Sequence, residues 1–204
     1  MSTQTNDTPA PAIADAPSKH TIPKTAIAVA EKCYLRPFEV SDAEAIAEAA
    51  NDPEIKTYMR SRFPSPYVLA DALGWIEHCR SGKTQSFGIF TPESGEYVGS
   101  ITLELPTGDK VYHGTRELGY FLARKAWGRG IMSQAVRELT RWAFATYPEL
   151  LRIEATAFAP NEASQHVLRK AGFVKEGMRR LAIVKDGKQM DEAIFGLIRT
   201  DIEA

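Results

Sequence analysis

The order of hydrophobic and polar positions along this chain predicts alternating strands and helices. Alternating or short continuous apolar runs predict strands, and apolar residues three and four positions apart predict helices. The predicted strands cover residues 33–39, 84–91, 96–105, 116–123, 151–158, 173–184 and 190–198. The predicted helices cover residues 42–50, 67–80, 131–147 and 161–171. Three prolines between residues 51 and 66 predict broken, short helix in that interval.

Turn and cap residues show how these elements are connected. Pro92–Gly95 predicts a hairpin between the second and third strands, and Lys185–Lys188 predicts another between the last two. Ser41, with Glu44 three residues later, predicts a capping box at the first helix. The fifth strand follows the fourth through a helix, which predicts a parallel pair. We therefore expect an α/β (α+β mixed) domain with a central mixed, mostly antiparallel, twisted sheet of 6–7 strands flanked by about four helices.

The first residues of the chain differ from the rest in composition. Residues 1–24 are rich in alanine, threonine, serine and proline, and such a segment cannot bury enough apolar surface to offset its ordering entropy. We expect a disordered tail over 1–24 and a single domain over 25–204. The tail contains Asp7 and Asp15 but no arginine, which argues against a mitochondrial presequence, and it shows no apolar signal-peptide core.

The bulk composition argues against several classes of function. A net charge of −1 and a pI near 6.4 give no reason to expect nucleic-acid binding. No apolar run approaches the ~20 residues of a membrane span. Cys33 and Cys79 lack metal-ligand spacing, so we expect free thiols and no metal, with a disulfide as the alternative. These features predict a cytoplasmic protein that binds neither nucleic acid nor membrane.

A glycine-containing corner between a strand and a helix is the most informative local feature. Gly128 and Gly130 lie in a short loop that follows the apolar strand 118–123 and leads at once into a helix. Glycines let successive N–H groups point outward together, and a helix N-terminus adds unpaired donors and a positive dipole end. All side chains charged at neutral pH from residue 118 to residue 137 are basic. The corner therefore predicts a diphosphate-binding cradle.

Three motifs in order resemble those of one protein superfamily. Neither a P-loop nor a dinucleotide fingerprint fits, because no Lys-Ser or Lys-Thr follows the glycines and a third glycine is missing. Lys125–Gly130 instead resembles motif A, [Q/R]-x-x-G-x-[G/A], of the GNAT superfamily of acyl-CoA-dependent N-acetyltransferases, with lysine at the first position. Asn161–Ser164 followed by Gly172–Phe173 is similar to the N-x-x-S…GF segment, close to the RimJ/RimL branch. Leu35–Pro37 resembles the family's first strand.

The resemblance implies a mode of binding for acetyl-CoA, which would be the co-substrate, with no metal. Backbone N–H groups of the central strand would bind the pantetheine arm in a gap where two strands splay apart. The pyrophosphate would sit on the glycine loop and the following helical turn, assisted by a lysine or arginine. The residues implied in cofactor binding are Phe121, Leu122, Ala123, Lys125, Gly128, Arg129, Gly130, Ile131, Met132, Asn161 and Ser164.

The same resemblance suggests catalytic residues, each with a structural alternative. Glu117 is the candidate general base, or else a carboxylate paired with a nearby arginine. Glu154 is a second candidate, or else a salt-bridged residue at a strand end. Ser164 is the remaining hydroxyl near the leaving thiol, or else a hydrogen-bonding residue of the first helical turn. A glutamate and a tyrosine used by many relatives are replaced here by Ile183 and Leu168.

The identity of the amine stays open at this point. A lysine side chain is roughly 0.04% neutral at pH 7 and an α-amine roughly 14%, so a site without an evident strong acid–base pair favours the α-amine. Four arginines on the amine side could meet an anionic substrate or be solvated; they are Arg60, Arg62, Arg179 and Arg180. The function is either acetyl transfer to a peptide N-terminus or small amine, or that of a catalytically silent acyl-CoA-binding regulatory module. Either could act as monomer or homodimer.

Overall fold

The computed structural model describes residues 20–82, 84–105 and 109–203. Most of the segment expected to be a disordered tail, residues 1–19, lies outside these ranges. The remainder contacts the domain, since His20 Nε2 lies 3.0 Å from the Tyr34 hydroxyl and Ile22 packs against buried residues.

In the described part of the chain, one eight-stranded sheet carries the fold. Its strands are β1 (Ala28–Val29), β2 (Tyr34–Arg36), β3 (Gln85–Phe90), β4 (Tyr97–Glu104), β5 (Thr115–Leu122), β6 (Arg152–Phe158), β7 (Val174–Lys185) and β8 (Lys188–Ile198). The helices within the described residues are α1 (Ala43–Ala50), α2 (Pro53–Thr57), α3 (Leu69–Arg80), α4 (Ile131–Thr146), α5 (Glu162–Lys170) and α6 (Thr200–Glu203). The predicted mixed α/β class and element order are confirmed.

The sheet is antiparallel except at its centre. Its order is β1-β2-β3-β4-β5-β6-β8-β7, and β5 and β6 are the parallel pair. They are connected through α4, as predicted, because a crossover helix is the usual link between parallel neighbours. The parallel pair therefore lies in the middle of the molecule, with hairpins on both sides.

The structure differs from the prediction at small elements and at one helix cap. β1 and α6 are too short to produce a detectable hydrophobic period, and the sequence therefore did not predict them. Within the described residues they bring the number of strands to eight and add a helix at the C-terminal end. The capping box predicted at Ser41 and Glu44 was wrong. The Glu39 N–H donates to Asp42 Oδ2 at 2.8 Å within a 3-10 turn, and α1 begins only after it. Asp42 occupies this position because Arg36 binds both of its carboxylate oxygens, at 2.7 and 2.8 Å.

Two apolar cores cover the two faces of the sheet. The larger core lies under α4 and α5 and includes Ala135, Leu139 and Leu168, all fully buried. The smaller core lies under α1 and α3 on the opposite face. Successive residues of β5 point alternately to the two cores, so Tyr120 packs with the first and Phe121 with the second.

The β7–β8 hairpin is tied to the segment between α2 and α3. Its tip is a two-residue turn at Asp186 and Gly187, both with positive φ (49° and 75°), as two-residue hairpin turns require. Lys185 beside the turn is buried, and its ammonium donates to the carbonyl oxygens of Lys56 (2.6 Å) and Met59. Burial lowers the pKa of Lys185. The contact holds residues 58–68, hereafter the 58–68 segment, over one face of the sheet.

Candidate active site

A cavity of about 1190 Å³ runs through the centre of the molecule. One end is formed by the loop Gly128–Gly130 and the first turn of α4, which together we call the cradle. The other end reaches Glu117 on β5, beneath the 58–68 segment. Between these ends the wall includes Tyr120 on β5 and Ser164 on α5.

The cavity passes through a gap in the sheet. β5 and β6 are paired only from Thr115↔Arg152 to Glu117↔Glu154, although both strands continue for several more residues. Beyond this point the two strands lack ladder pairs with each other. Gly119 lies in the part of β5 that is paired with β4 but not with β6, is exposed, and would present a Cβ to open space. The missing side chain leaves room in the cavity beside Glu117.

The backbone donors available in the gap differ from those implied by the family resemblance. The Ala123 N–H donates to Val98 O at 2.8 Å, so it is already engaged with β4. Because hydrogen-bonding direction alternates along an antiparallel strand, the Phe121 N–H points to β4 as well, and the Leu122 and Tyr120 N–H groups point to the gap. Of the three expected residues, Leu122 therefore offers the free donor. Its carbonyl oxygen accepts from Trp127 Nε1 at 2.7 Å, which packs the loop against the strand.

The cradle has the backbone geometry that an anion site needs. Gly128 and Gly130 have φ of 72° and 76°, a left-handed conformation that side chains rarely adopt. Gly130 is the N-cap of α4, and the N–H groups of Ile131 and Met132 belong to the first helical turn, whose donors have no partner within the helix. Convergent N–H groups and the helix dipole favour a bound phosphate. These residues thus fit the diphosphate of a nucleotide-bearing cofactor.

The cations of the cradle are only partly those expected from the sequence. Arg129 lines the cavity, whereas Lys125 pairs with Glu96 at 2.7 Å and is not part of the cavity wall. Lys32, which sequence reasoning missed, donates from Nζ to Arg129 O at 3.3 Å. Its backbone N–H also donates to Gln134 Oε1 at 2.8 Å. No local motif marks Lys32, because tertiary folding brings it to the loop from nearly a hundred residues away.

Glu117 faces the cavity in a row of carboxylates. It is the register neighbour of Glu104 on β4 and Glu154 on β6, so all three side chains point to the same face. Arg60 of the 58–68 segment contacts both oxygens of Glu117. Arg62 pairs with Glu104 at 2.9 Å. Each carboxylate in the row is balanced by an arginine, which offsets the repulsion between like charges on neighbouring strands.

Glu154 is placed differently from Glu117. Arg152 contacts it at 3.3 Å, and the same guanidinium binds both oxygens of Glu176 on β7, at 2.7 and 2.5 Å. Hydrogen bonding and charge from Arg152 lower the pKa of Glu176. Glu154 is not among the residues that line the cavity. Of the two candidate bases, Glu117 is therefore the one that a molecule in the cavity would meet, although Glu54, Asp71 and Glu104 also line the cavity.

Asn161 and Ser164 lie where α5 begins, beside the gap. Asn161 is the N-cap of α5, and its Oδ1 accepts the Ser164 N–H at 3.1 Å. Ser164 Oγ lies 2.8 Å from the hydroxyl of Tyr120, a residue that sequence reasoning assigned only to a strand. Burial raises the pKa of Tyr120, an effect partly offset by the Ser164 hydrogen bond. Tyr120 therefore remains a neutral phenol.

The two positions where relatives carry a glutamate and a tyrosine offer no substitute. Leu168 is fully buried in the larger core, and Ile183 lies on β7 opposite Met190. Within the described residues there is no group of three or more His, Cys, Asp or Glu side chains suited to a metal ion. In the same ranges, none of the helices has the length and apolar character needed to cross a bilayer. Cys33 and Cys79 are free thiols.

Comparison with known proteins gives one consistent family. Residues 32–174 match the acetyltransferase (GNAT) domain. The uncharacterized N-acetyltransferase p20 of Bacillus licheniformis is 30% identical, over 84% of this chain and 95% of its own length. The [ribosomal protein uS5]-alanine N-acetyltransferase of Escherichia coli is 29% identical, over 63% and 66% of the two chains. The structure of RimL, the ribosomal L7/L12 α-N-protein acetyltransferase in complex with coenzyme A, superposes with a TM-score of 0.72 at 20% identity, over 85% and 97% of the chains.

Proposed function

The chain belongs to the GNAT acetyltransferase family, and we propose that it transfers an acetyl group from acetyl-CoA to a primary amine by direct attack in a ternary complex. The observation that carries this proposal is the continuous cavity from the cradle, through the gap between β5 and β6, to Glu117. The anion site at one end of this cavity suits the diphosphate of acetyl-CoA, and the carboxylate at the other end suits the incoming amine.

The binding residues are proposed from the geometry of the cavity wall. The N–H groups from Gly128 to Met132, with Arg129 and Lys32, would hold the diphosphate. The Leu122 N–H and Asn161 would contact the pantetheine arm along the gap. From Leu122 to Glu117 the strand covers about 17 Å at the usual rise per residue, which leaves length for an extended arm.

Glu117 is the proposed general base. Its side chain lies next to Gly119 on the same face of β5, beside the gap rather than at the cradle. The ammonium of the incoming amine would take the place that the Arg60 guanidinium holds, and its proton would pass to Glu117 directly or through water. Glu154, held by Arg152, would act at most through Glu117.

The amine is proposed to be an α-amine of a peptide or small molecule. At neutral pH a far larger fraction of an α-amine than of a lysine side chain is already neutral, so less of the barrier depends on the base. The aromatic residues Tyr58, Phe63 and Phe121 flank this end of the cavity and would contact the side chain next to the amine. The uS5-alanine N-acetyltransferase among the relatives is named for a substrate of this kind.

The decisive experiment is acetyl-CoA turnover, followed by release of free thiol, against a panel of peptides with different N-terminal residues and of small amines. Lysine side chains in N-terminally blocked peptides serve as the control acceptors. Turnover with free α-amines and not with blocked peptides supports the proposal. Tight acetyl-CoA binding without turnover on any acceptor would favour the acyl-CoA-binding regulatory module, and absence of acetyl-CoA binding would refute both.

A further inference from the structure

Tyr120 and Ser164 place two hydroxyl groups side by side on the wall of the gap. Tyr120 comes from the middle of β5 and Ser164 from the first turn of α5, so the contact joins the two elements that border the cavity. The two oxygens lie 2.8 Å apart. The Tyr120 hydroxyl also lies 3.3 Å from the carbonyl oxygen of Ser164.

The direction of the protons in this pair decides what it can do. The tyrosine has one proton and the serine has one, and each oxygen can also accept. Ser164 offers the tyrosine two acceptors, of which Oγ is the nearer. When Tyr120 donates to Oγ, the serine proton is released from the pair and can point into the cavity. The Asn161 bond to the Ser164 N–H fixes the turn from which that proton projects.

The acidity of the two groups argues for hydrogen bonding rather than proton transfer. Burial raises the pKa of Tyr120 above its ordinary value. A thiol such as that of CoA is a stronger acid than this buried phenol, so moving a proton from the phenol to a thiolate is uphill. The same holds for the alkyl hydroxyl of Ser164. The pair can stabilise a sulfur anion without giving up a proton.

The geometry points to Tyr120 as a positioning residue that turns the Ser164 hydroxyl proton toward the leaving sulfur of acetyl-CoA. This inference rests on the proposed acetyl transfer. There, the amine nitrogen bonds to the acetyl carbon, the carbon–sulfur bond breaks with its electron pair on sulfur, and the amine proton goes to Glu117 or water. Ser164 Oγ donates a hydrogen bond to the thiolate, which solvent protonates after release. The hydroxyl absent at Leu168 is thus replaced by that of Ser164 on α5, which Tyr120 on β5 orients.

A binding measurement tests this without knowledge of the amine. If Ser164 stabilises the thiolate, bound CoA has a lowered thiol pKa, and its affinity must rise with pH. For a free thiol with a pKa between ~8.5 and ~10, a lowering of ~1 unit makes CoA bind about 3- to 7-fold more tightly at pH 9.5 than at pH 7. Desulfo-CoA lacks the sulfur, so any change in its affinity with pH comes from the other titratable groups and serves as the reference. The other titratable groups of the cavity wall come from several elements: Lys32, Glu54, Tyr58, Arg60, Arg62, Tyr67, Asp71, His78, Glu104, Glu117, Arg129, His166 and Lys170.

The variants are Tyr120→Phe and Ser164→Ala, with Tyr97→Phe as the matched control. Tyr97 makes a buried tyrosine–serine bond of similar length, 2.7 Å to Ser100 Oγ. Isothermal titration should show pH-dependent tightening for CoA relative to desulfo-CoA in wild type and in Tyr97→Phe. This tightening should be lost in Tyr120→Phe and in Ser164→Ala. Tightening retained in Tyr120→Phe, or absent in wild type, overturns the inference. If Tyr120→Phe does not fold, retained tightening in Ser164→Ala overturns it equally.

Turnover gives the second readout. Tyr120→Phe should lower kcat about 10- to 100-fold, the usual worth of a hydrogen bond to a charged group, with the acetyl-CoA Kd within twofold. In the Ser164→Ala background the same change should have no further effect, since Tyr120 acts through Ser164. Losses that multiply in the double variant refute that route. A wild-type protein that binds CoA with the pH dependence but never turns over refutes the proposed function and leaves the hydroxyl pair intact.

Discussion

Replacement of Gly130 by alanine tests whether the cradle holds the diphosphate. The built Cβ meets only Lys32 Nζ, at 3.6 Å, so the change introduces no clash. Its cost comes from the backbone, because φ is 76° and a left-handed residue with a Cβ costs about 1–2 kcal/mol. The melting temperature should therefore fall by roughly 2–8 °C for a domain of this size.

Gly82 provides a matched control. It has φ of 75°, its built Cβ meets no atom within 4 Å, and it follows α3 rather than lining the cavity. Gly82→Ala should lose as much stability as Gly130→Ala and keep CoA affinity unchanged. In Gly130→Ala, relaxation of the loop would turn one or more N–H donors away from the phosphate, each worth about 1.5–3 kcal/mol toward a charged acceptor. We expect CoA affinity to fall about 10- to 100-fold.

Isothermal titration with CoA, and thermal melting of the free proteins, measure the two effects separately. The reasoning is refuted if Gly130→Ala melts like Gly82→Ala and binds CoA within twofold of wild type. The diphosphate would then lie elsewhere, and the left-handed glycines would serve only the turn. A CoA affinity that falls in both variants would equally refute it, because the loss would follow global stability rather than the cradle.

Three further predictions concern charged side chains. Lys32→Ala should weaken CoA binding about 3- to 10-fold and reduce its salt dependence, whereas the CoA affinity of Lys125→Ala should stay within twofold of wild type. Isothermal titration at low and high salt measures both effects. Equal losses of affinity in the two variants would contradict the assignment of Lys32 to the cradle. Glu117→Gln should lower turnover roughly 10²–10⁴-fold at pH 7. Part of the lost rate should return by pH 9, because an α-amine with a pKa near ~7.8 is by then deprotonated without the base. A turnover rate within threefold of wild type from pH 7 to pH 9 would make Glu117 structural. Asp42→Asn should cost about 3–5 kcal/mol in urea unfolding, because the Arg36 charge is left buried. Glu138→Gln, which weakens a partly exposed pair with Arg141, should cost less than ~1 kcal/mol. Similar losses in the two variants would remove the buried pair as a source of stability.

Local features of the site could be predicted from the sequence. The strand, the glycine loop and the helix that form the cradle are contiguous, so their geometry follows from glycine, helix termini and apolar period alone. The same is true of Asn161 as a cap, since an N-cap acts within one helical turn. The family resemblance added the gap between the central strands, which no local pattern specifies.

Features that depend on tertiary contacts could not be predicted. Lys32 reaches the cradle and Arg60 reaches Glu117 from distant parts of the chain, and neither lies in a motif. Tyr120 reads as an ordinary strand aromatic, because the hydroxyl's partner is set by the position of α5. The cap at Ser41 fails for the same reason, since Asp42 is recruited by Arg36.

The incomplete pairing of β5 and β6 makes the sheet itself responsive to what fills it. After three rungs the strands separate, and the amides of Tyr120 and Leu122 point into the gap without a strand partner. A molecule bound there would supply the absent acceptors and stabilise the native state by RT ln(1 + [L]/Kd), about 2.7 kcal/mol at a hundred times Kd. Hydrogen exchange at Leu122, whose amide has no strand partner in the free protein, would then gain protection by the bound ligand itself, whereas exchange at Ala123, already bonded to Val98, would slow only as far as global unfolding becomes rarer. The conformational stability of the central strands is in this sense set by ligand supply as well as by sequence.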